Sequence, residues 1–151
     1  MKSPRHLLRQ RGVAAVEFAL ISSIFFMLLI GIMEMGRILF YWNTATEATR
    51  LGARLAVVCN IDDGAIKGRM MALFPMLNSA NISIDYQPAN CTAANCEQVT
   101  VRIVSANAII PTYIPFVPLS LTLPGFATTL TRESMNSSSD GVANPVCSSS
   151  Y

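Results

Sequence analysis

The segment VAAVEFALISSIFFMLLIGIM (13–33) decides the fold of this chain, because an apolar run of this length favours burial in a membrane. Among its 21 residues only Glu17 is ionisable. As an α-helix the segment is about 31 Å long, which is enough to cross the hydrocarbon core of a bilayer. We therefore predict a transmembrane helix over residues 13–33.

The residues before this run predict its orientation. No acidic residue precedes Glu17, whereas four basic residues do: Lys2, Arg5, Arg9 and Arg11. By the positive-inside rule the N-terminus is cytoplasmic and the rest of the chain is exported to the periplasm. A secretory signal peptide fits poorly, since its apolar region would have about 7–15 residues and would end at a small-residue cleavage site. The pattern favours a single-pass inner-membrane protein.

The basic charge of the chain is concentrated in this leader. The formal net charge of +2 comes from 11 basic and nine acidic residues, and residues 1–12 hold four of the basic ones. Without them, seven basic residues face nine acidic residues, which is a net charge of −2. The basic residues therefore belong to a leader that sets membrane orientation, and the composition predicts no nucleic-acid partner.

The helical pattern continues beyond the apolar run. EMGRILFYWNTATEATRLGARLAVV (34–58) contains no proline and keeps a helical period. Residues 13–58 therefore predict one helix of about 69 Å, whose second half continues into the periplasm. That half carries small residues that permit close backbone approach: Ala45, Ala48, Thr49, Gly52, Ala53 and Ala56. We expect a sheet of the same molecule to cover them; a helix contact between subunits is the alternative.

Residues 59–133 predict a small periplasmic domain. A short helix is predicted over residues 64–77, and Pro75 interrupts or ends it. After it the apolar period changes to two, which predicts strands. The predicted strands are ISIDY (82–86), QVTVRIV (98–104), LSLTL (119–123) and FATTLTR (126–132). A long helix followed by a small antiparallel sheet indicates the α+β class.

The segments around the last predicted strands carry turn signals. The dipeptide Pro124-Gly125 predicts a hairpin between the last two strands. Three earlier prolines predict a loop or an edge segment: Pro111, Pro115 and Pro118. The serine-rich residues 134–151 predict a flexible tail.

The cysteines predict covalent cross-links. All four lie on the predicted periplasmic side, where an even number favours disulfides. Three pairings are possible. Cys91 and Cys96 bracket a short loop and can close on each other, which leaves Cys59 for Cys147. A zinc site is the competing interpretation, but the chain has no CxxC spacing, and its one histidine, His6, is in the leader.

The sequence carries no catalytic constellation. Its single histidine is predicted on the opposite side of the membrane from the exported serines and cysteines. Asp62 and Asp63 are adjacent, and we expect them to cap the helix that begins near Gly64 rather than to bind a metal. No glycine-rich phosphate loop follows a strand. We therefore predict a protein that is not an enzyme, with no cofactor, no metal and no small-molecule substrate.

The motifs along residues 11–57 resemble a known family. A basic leader followed by Gly12 and VAAVEF (13–18) is the pattern of a type IV prepilin. Together with GIMEMGRILFY (31–41) and TEATRLGARLAV (46–57), it resembles the TadE-like pseudopilins. That family belongs to the tight-adherence machinery that assembles Flp pili. The resemblance covers under a third of the chain and implies a pilin-like arrangement of the long helix on the sheet.

The resemblance also implies roles for individual residues. A prepilin peptidase is expected to cut between Gly12 and Val13 at the cytoplasmic face, and Glu17 and Phe18 are expected to act in assembly. Further positions follow the family pattern: Glu34, Gly36, Arg37, Gly52, Ala53 and Arg54. Glu34 and Arg37 are three residues apart where the apolar run ends, which predicts an interfacial ion pair.

Cleavage would give the charge of Glu17 a partner. It would create an α-amino group at Val13, charged or nearly so at neutral pH. Glu17 lies four residues further on, so the two charges could offset part of each other's desolvation cost. The pair could form within one chain or between subunits, where it would also set their stagger. The alternative is an interfacial glutamate that reaches cytoplasmic water.

The implied function is that of a pseudopilin or minor pilin in a Flp or type IVb-like pilus. Its implied partners are other pilins and pseudopilins, the inner-membrane assembly platform, the prepilin peptidase and membrane lipid. The alternative hypothesis is a bitopic envelope protein with an uncleaved signal anchor and a periplasmic binding module.

Overall fold

The computed structural model describes residues 5–104, 109–111, 120–122 and 124–148. Its helices are α1 (Arg5–Val58) and α2 (Gly64–Leu73), with a short 3-10 helix over Ser79–Asn81. Its strands are β1 (Ile82–Gln87), β2 (Gln98–Ile103), β3 (Ile109–Pro111), β4 (Ser120–Thr122), β5 (Ala127–Thr131), β6 (Ser138–Ser139) and β7 (Val142–Ala143). The predictions that concern Lys2, Pro115 and Pro118 lie outside the described residues. The long helix and the antiparallel sheet confirm the predicted α+β class.

The helix α1 has 54 residues and no break. No proline lies within it, so its backbone hydrogen bonds continue from the leader into the domain. Its length is about 81 Å, which is far more than a bilayer core requires. From Gly12 onward α1 is long and apolar enough to cross a membrane, and its most apolar part is not covered by the rest of the chain. The protein therefore has the features of a single-pass membrane anchor.

The C-terminal half of α1 packs on the sheet through its small residues. Ala45 and Ala48 have no exposed surface, and Gly52 is also buried. Strands β2 and β5 lie against this stripe. The hydroxyl of Thr128 on β5 donates a hydrogen bond to the hydroxyl of Thr49 at 3.2 Å. The prediction that a sheet of the same molecule covers the stripe is confirmed.

The main sheet has the strand order β1-β2-β5 and is antiparallel throughout. Alternate residues of a strand point to opposite faces. Val99, Val101 and Ile103 of the central strand are buried, and Val101 lies beside Gly52 of α1. The opposite face is polar and carries an ion pair between Arg102 and Asp85. One face of the sheet thus completes the core, and the other face is exposed.

The predicted hairpin between the last two strands is wrong. Strand β4 pairs with β3, whereas β5 pairs with β2. The N–H of Ile103 donates to the carbonyl of Phe126 at 2.9 Å, which aligns the start of β5 on β2. In this register Leu130 extends the apolar face of β2. The dipeptide Pro124-Gly125 therefore joins two separate ladders, because the fit of β5 to the core outweighs a local turn signal.

Helix α2 begins where its capping residue predicts. Asp63 is the N-cap, and its carboxylate accepts a hydrogen bond from the N–H of Ala65 at 3.0 Å. The helix ends two residues before Pro75, as expected of a residue that cannot continue it. In the preceding turn, the N–H of Asp62 donates to the hydroxyl of Tyr86 at 3.1 Å. Burial raises the pKa of the Tyr86 phenol, so this hydroxyl stays protonated at neutral pH.

The serine-rich C-terminal segment packs against the end of α1. Met135 is buried, and its N–H donates to the carbonyl of Val57 at 3.1 Å. The N–H of Asn136 donates to the carbonyl of Val58 at 2.7 Å. These bonds satisfy carbonyls that have no partner within the helix. The segment from Ser134 to Ser148 is thus attached to the domain through backbone hydrogen bonds to the end of α1.

The four cysteines form two disulfides, Cys59–Cys147 and Cys91–Cys96. The first joins the end of α1 to the C-terminal segment across 88 positions of sequence. The second closes a loop between β1 and β2. All four residues belong to the buried core. The disulfides therefore tie the C-terminal segment to the end of α1 and close the loop between β1 and β2.

Candidate functional site

The predicted cleavage site lies in the exposed N-terminal part of α1. A Cβ atom added at Gly12 would meet no other atom within 4 Å, and Gly12 does not have a left-handed backbone conformation. Neither packing nor backbone geometry therefore requires a glycine here. The next residue, Val13, is 68% exposed. Both residues that flank the predicted scissile bond are thus uncovered in the monomer.

Glu17 lies on the same uncovered part of α1, four residues after Val13. Among the side chains that the structure describes, which begin at residue 12, no salt bridge joins its carboxylate to a basic side chain. Its neighbour Phe18 is 73% exposed. Within that described part of the chain, an unpaired carboxylate and an aromatic ring therefore lie together at a level of the helix that is otherwise apolar. Both groups are available to a partner outside the folded chain.

Glu34 and Arg37 form a close ion pair on one face of α1. The Nη2 atom of Arg37 lies 2.6 Å from Oε2 of Glu34, and Nε donates to the same oxygen at 3.2 Å. The Nη1 atom of Arg37 donates to the hydroxyl of Tyr41 at 3.5 Å. Only 11% of the Glu34 side chain is exposed. In contrast to Glu17, both charges have their partners within the monomer.

The other positions of the family pattern differ in their surroundings. At Gly36 an added Cβ would meet nothing within 4 Å, whereas at Gly52 it would overlap the side chain of Met70. Ala53 has no exposed surface, and Arg54 is exposed. Gly52 and Ala53 thus serve the contact of α1 with α2 and the sheet. Gly36 and Arg54 have no such structural role in the described residues.

Of the two adjacent aspartates after α1, Asp63 has a structural role. The carboxylate of Asp63 caps α2 and also accepts a hydrogen bond from the hydroxyl of Ser137 at 2.7 Å. It therefore joins α2 to the C-terminal segment. Within the described ranges, no group of three histidine, cysteine, aspartate or glutamate side chains could hold a metal ion.

The positions that carry the pattern lie in order along α1: an exposed glycine, an exposed glutamate, an ion pair and a buried glycine. Residues 12–54 match the family model described as TadE-like protein. This confirms the resemblance that the motifs indicated, over a segment that begins at Gly12. The matched segment has 43 of the 151 residues, so the likeness to the family lies within α1. Neither a curated protein nor a solved structure matches the chain.

Tyr41 lies inside the TadE-like segment, and the sequence motifs predicted no role for it. Its ring is under the Arg37 guanidinium, with the guanidinium carbon 5.4 Å from the ring centroid. The Tyr41 ring also packs against the ring of Phe74, and the two ring centroids are 5.9 Å apart. Tyr41 thus links the ion pair of α1 to the end of α2. Its spacing of four residues from Arg37 was the available signal.

Gly52 of the TadE-like segment provides a test of the packing. A leucine there would overlap Met70 and crowd Val101, whose Cγ1 atom is 3.1 Å from the added Cβ. We expect Gly52→Leu to lower the free energy of unfolding by about 1–3 kcal/mol, the usual cost of overpacking. The matched control is Gly68→Leu, because Gly68 is helical, exposed and in open space. Thermal unfolding in detergent measures both variants, and equal stability would contradict the proposed close contact.

Proposed function

We propose that this protein is a pseudopilin or minor pilin that takes part in assembly of a Flp or type IVb-like tight-adherence pilus. The observation that carries the proposal is the spacing between Gly12 and Glu17 at the start of the apolar helix. Both residues are exposed, and the folded monomer gives no reason for either residue type. The match to the TadE-like family, which begins at Gly12, supports the same assignment.

In this proposal a prepilin peptidase removes residues 1–12 at the cytoplasmic face. The new α-amino group of Val13 carries a positive charge, at a helix end that is already electropositive. Glu17, in the first turns of the mature helix, supplies the compensating negative charge. Because the carboxylate has no ion-pair partner among the side chains that the structure describes from residue 12 onward, it can serve the α-amino group of its own chain or of a neighbouring subunit. The second arrangement would set the axial stagger of packed helices.

The proposed location is the inner membrane, with the N-terminus cytoplasmic and the C-terminal domain periplasmic. The four basic residues of the leader support this orientation. Two disulfides support an oxidising compartment for the domain. The proposed partners are other pilins and pseudopilins, the assembly platform and the prepilin peptidase. The protein itself acts by contact and not by catalysis.

Processing tests the proposal directly. Gly12→Leu fits the folded helix, since the position is open, but it removes the residue on which the cleavage is proposed to depend. We expect this variant to keep residues 1–12, whereas wild type begins at Val13. The matched control is Gly31→Leu, at another open position of α1, which should be processed normally. Intact mass and N-terminal sequencing of membrane-extracted protein measure the difference.

Two results would contradict the assignment. Trimming of Gly12→Leu to Val13 would show that the cleavage site is wrong. A wild-type protein that keeps residues 1–12 in a host with an active prepilin peptidase would support the uncleaved signal anchor instead.

A further inference from the structure

The exposed apolar surface of α1 does not end where the apolar run of the sequence ends. Beyond Met33, four large apolar side chains are still turned away from the domain. They are Met35, Leu39, Phe40 and Trp42, with 60%, 48%, 64% and 37% of their surface exposed. Over the same turns, Glu34 and Ile38 are buried on the other face of the helix. One side of α1 is therefore folded against its own chain here, and the other side remains membrane-like.

This apolar surface stops abruptly at Trp42. In the described part of α1 after Trp42, no large apolar side chain is exposed. The exposed positions are polar or charged from there on: Asn43, Glu47, Arg50 and Arg54. Glu47 and Arg50 form a solvent-facing ion pair, with 61% and 56% of their side chains exposed. The exposed surface of α1 thus changes from apolar to polar within about one helical turn.

The residues at which the exposed surface of α1 changes from apolar to polar are of the kind found at a membrane surface. Phe40, Tyr41 and Trp42 are consecutive, and tryptophan and tyrosine concentrate at membrane–water interfaces. From Val13 to Trp42 the helix has 30 residues and a length of about 45 Å. A bilayer including its headgroup regions is about 40–45 Å thick. The segment from Val13 to Trp42 therefore matches the whole membrane, whereas residues 13–33 match only its hydrocarbon core.

We propose that the lipid-covered surface of α1 extends to Trp42, so that the outer membrane interface lies at Phe40–Trp42. The occupant of this surface is phospholipid, because the exposed face is continuous with the membrane-spanning part of the same helix. The Glu34–Arg37 pair then lies below the aromatic residues, at the outer edge of the hydrocarbon. Its compact geometry suits that depth, since each charge is neutralised within one helix and Arg37 also reaches the Tyr41 hydroxyl.

The same placement puts the C-terminal domain directly on the membrane surface. Tyr41 packs on Phe74, which follows the last residue of α2. The domain therefore reaches at least to the level of the aromatic residues, without a length of exposed helix between it and the headgroups. At the other end, Glu17 and Val13 fall in the inner headgroup region, where an unpaired carboxylate can be tolerated until a partner arrives.

Trp42 is the only tryptophan of the chain, so its fluorescence reports depth without an added label. The experiment uses the full-length protein in phosphatidylcholine–phosphatidylglycerol vesicles. One set of vesicles contains lipids brominated near the acyl carbonyls, and another contains lipids brominated near the chain ends. We expect Trp42 to be quenched strongly by the shallow bromines, less by the deep ones, and only weakly by aqueous iodide.

The matched control moves the probe out of the proposed interface. In the double variant Trp42→Phe with Arg50→Trp, the probe lies about 12 Å further along the helix. The substitution removes only an exposed ion pair, which contributes little to stability. We expect iodide to quench this variant severalfold more strongly than wild type, and brominated lipid to have no effect on it.

Two outcomes would overturn the proposal. Equal iodide quenching of wild type and the control variant would place Trp42 in water and the interface closer to Met33. Protection of Trp42 from both iodide and brominated lipid would show that protein, not lipid, covers this face. Neither outcome depends on cleavage at Gly12 or on pilus assembly, so the test is independent of the proposed function.

Discussion

The Glu17→Gln variant should be expressed, inserted and cleaved, yet fail to hold its assembly partners. Glutamine keeps the shape of the side chain and removes its charge, which leaves the Val13 ammonium without a partner during lateral packing. Breaking an ion pair away from water costs about 3–5 kcal/mol, so we expect co-purification of partner pilins to fall by at least about tenfold. Surface attachment of cells should fall with it. Pull-down and attachment are measured beside wild type.

Insertion and folding should survive this change for separate reasons. Removal of a carboxylate makes the N-terminal helix more apolar, which favours insertion. Glu17 lies about 60 Å from Val58 along α1, far from the core of the domain. A defect confined to assembly is therefore the expected signature. Membrane fractionation and N-terminal sequencing establish that insertion and cleavage are normal.

The control for this experiment is Glu47→Gln. Glu47 lies on the same helix and pairs only with Arg50 at an exposed position, where an ion pair contributes little. Glu34→Gln is less suitable, because it would leave the partly buried Arg37 without its carboxylate. Normal pull-down and normal attachment of Glu17→Gln would show that the carboxylate merely reaches cytoplasmic water.

Loss of the Cys59–Cys147 disulfide should have the largest effect on stability. We expect Cys59→Ala with Cys147→Ala to lower the free energy of unfolding by about 2–5 kcal/mol. The bridge closes a loop of 88 positions, and it holds the C-terminal segment against the last carbonyls of α1. A small domain is only marginally stable, so the variant should be degraded during expression at 37 °C. Alanine avoids burial of an unpaired hydroxyl at these two core positions.

The shorter bridge is the matched control. Cys91 and Cys96 are five positions apart, and a loop of that size is worth only about 2 kcal/mol in the chain-entropy description. Pulse proteolysis of the full chain in membrane vesicles compares the two double variants with wild type. Non-reducing peptide mapping of wild type should recover both bridges. Equal protease resistance of wild type and Cys59→Ala with Cys147→Ala would contradict the stabilising role.

Much of the architecture could be predicted because its signals are local. The absence of proline between the leader and Val58 predicts an unbroken helix, and the helix α1 is unbroken. Asp63 before Gly64 predicts a helix start, and Asp63 is the N-cap of α2. Alternation in β1 and β2 predicts strands with one buried face, which is what the sheet has. Each of these depends on neighbours within a few residues.

The features that the sequence did not predict all concern contacts between segments that are distant along the chain. The turn at Pro124-Gly125 predicts a reversal of the chain, but the partner of β5 is β2 and not β4. The serine content of residues 134–151 predicts a flexible tail, and it does not indicate that Met135 is buried against the end of α1. A turn signal or a composition describes the chain near one position. It carries no information on the carbonyls at the end of α1, or on the edge of β2 with which β5 pairs.

The sequence by itself determined that this chain is anchored by one long apolar helix with a glycine and a glutamate at its start, and that a small α+β domain follows. These properties follow from hydrophobicity, periodicity and spacing, which act along the chain. Only the tertiary structure decided that Gly52 is enclosed whereas Gly12 is open. It also decided which side of the aromatic turn at Trp42 remains uncovered. The physical reason is that burial is set by atoms brought together across the fold, and the identity of a residue does not specify its distant neighbours.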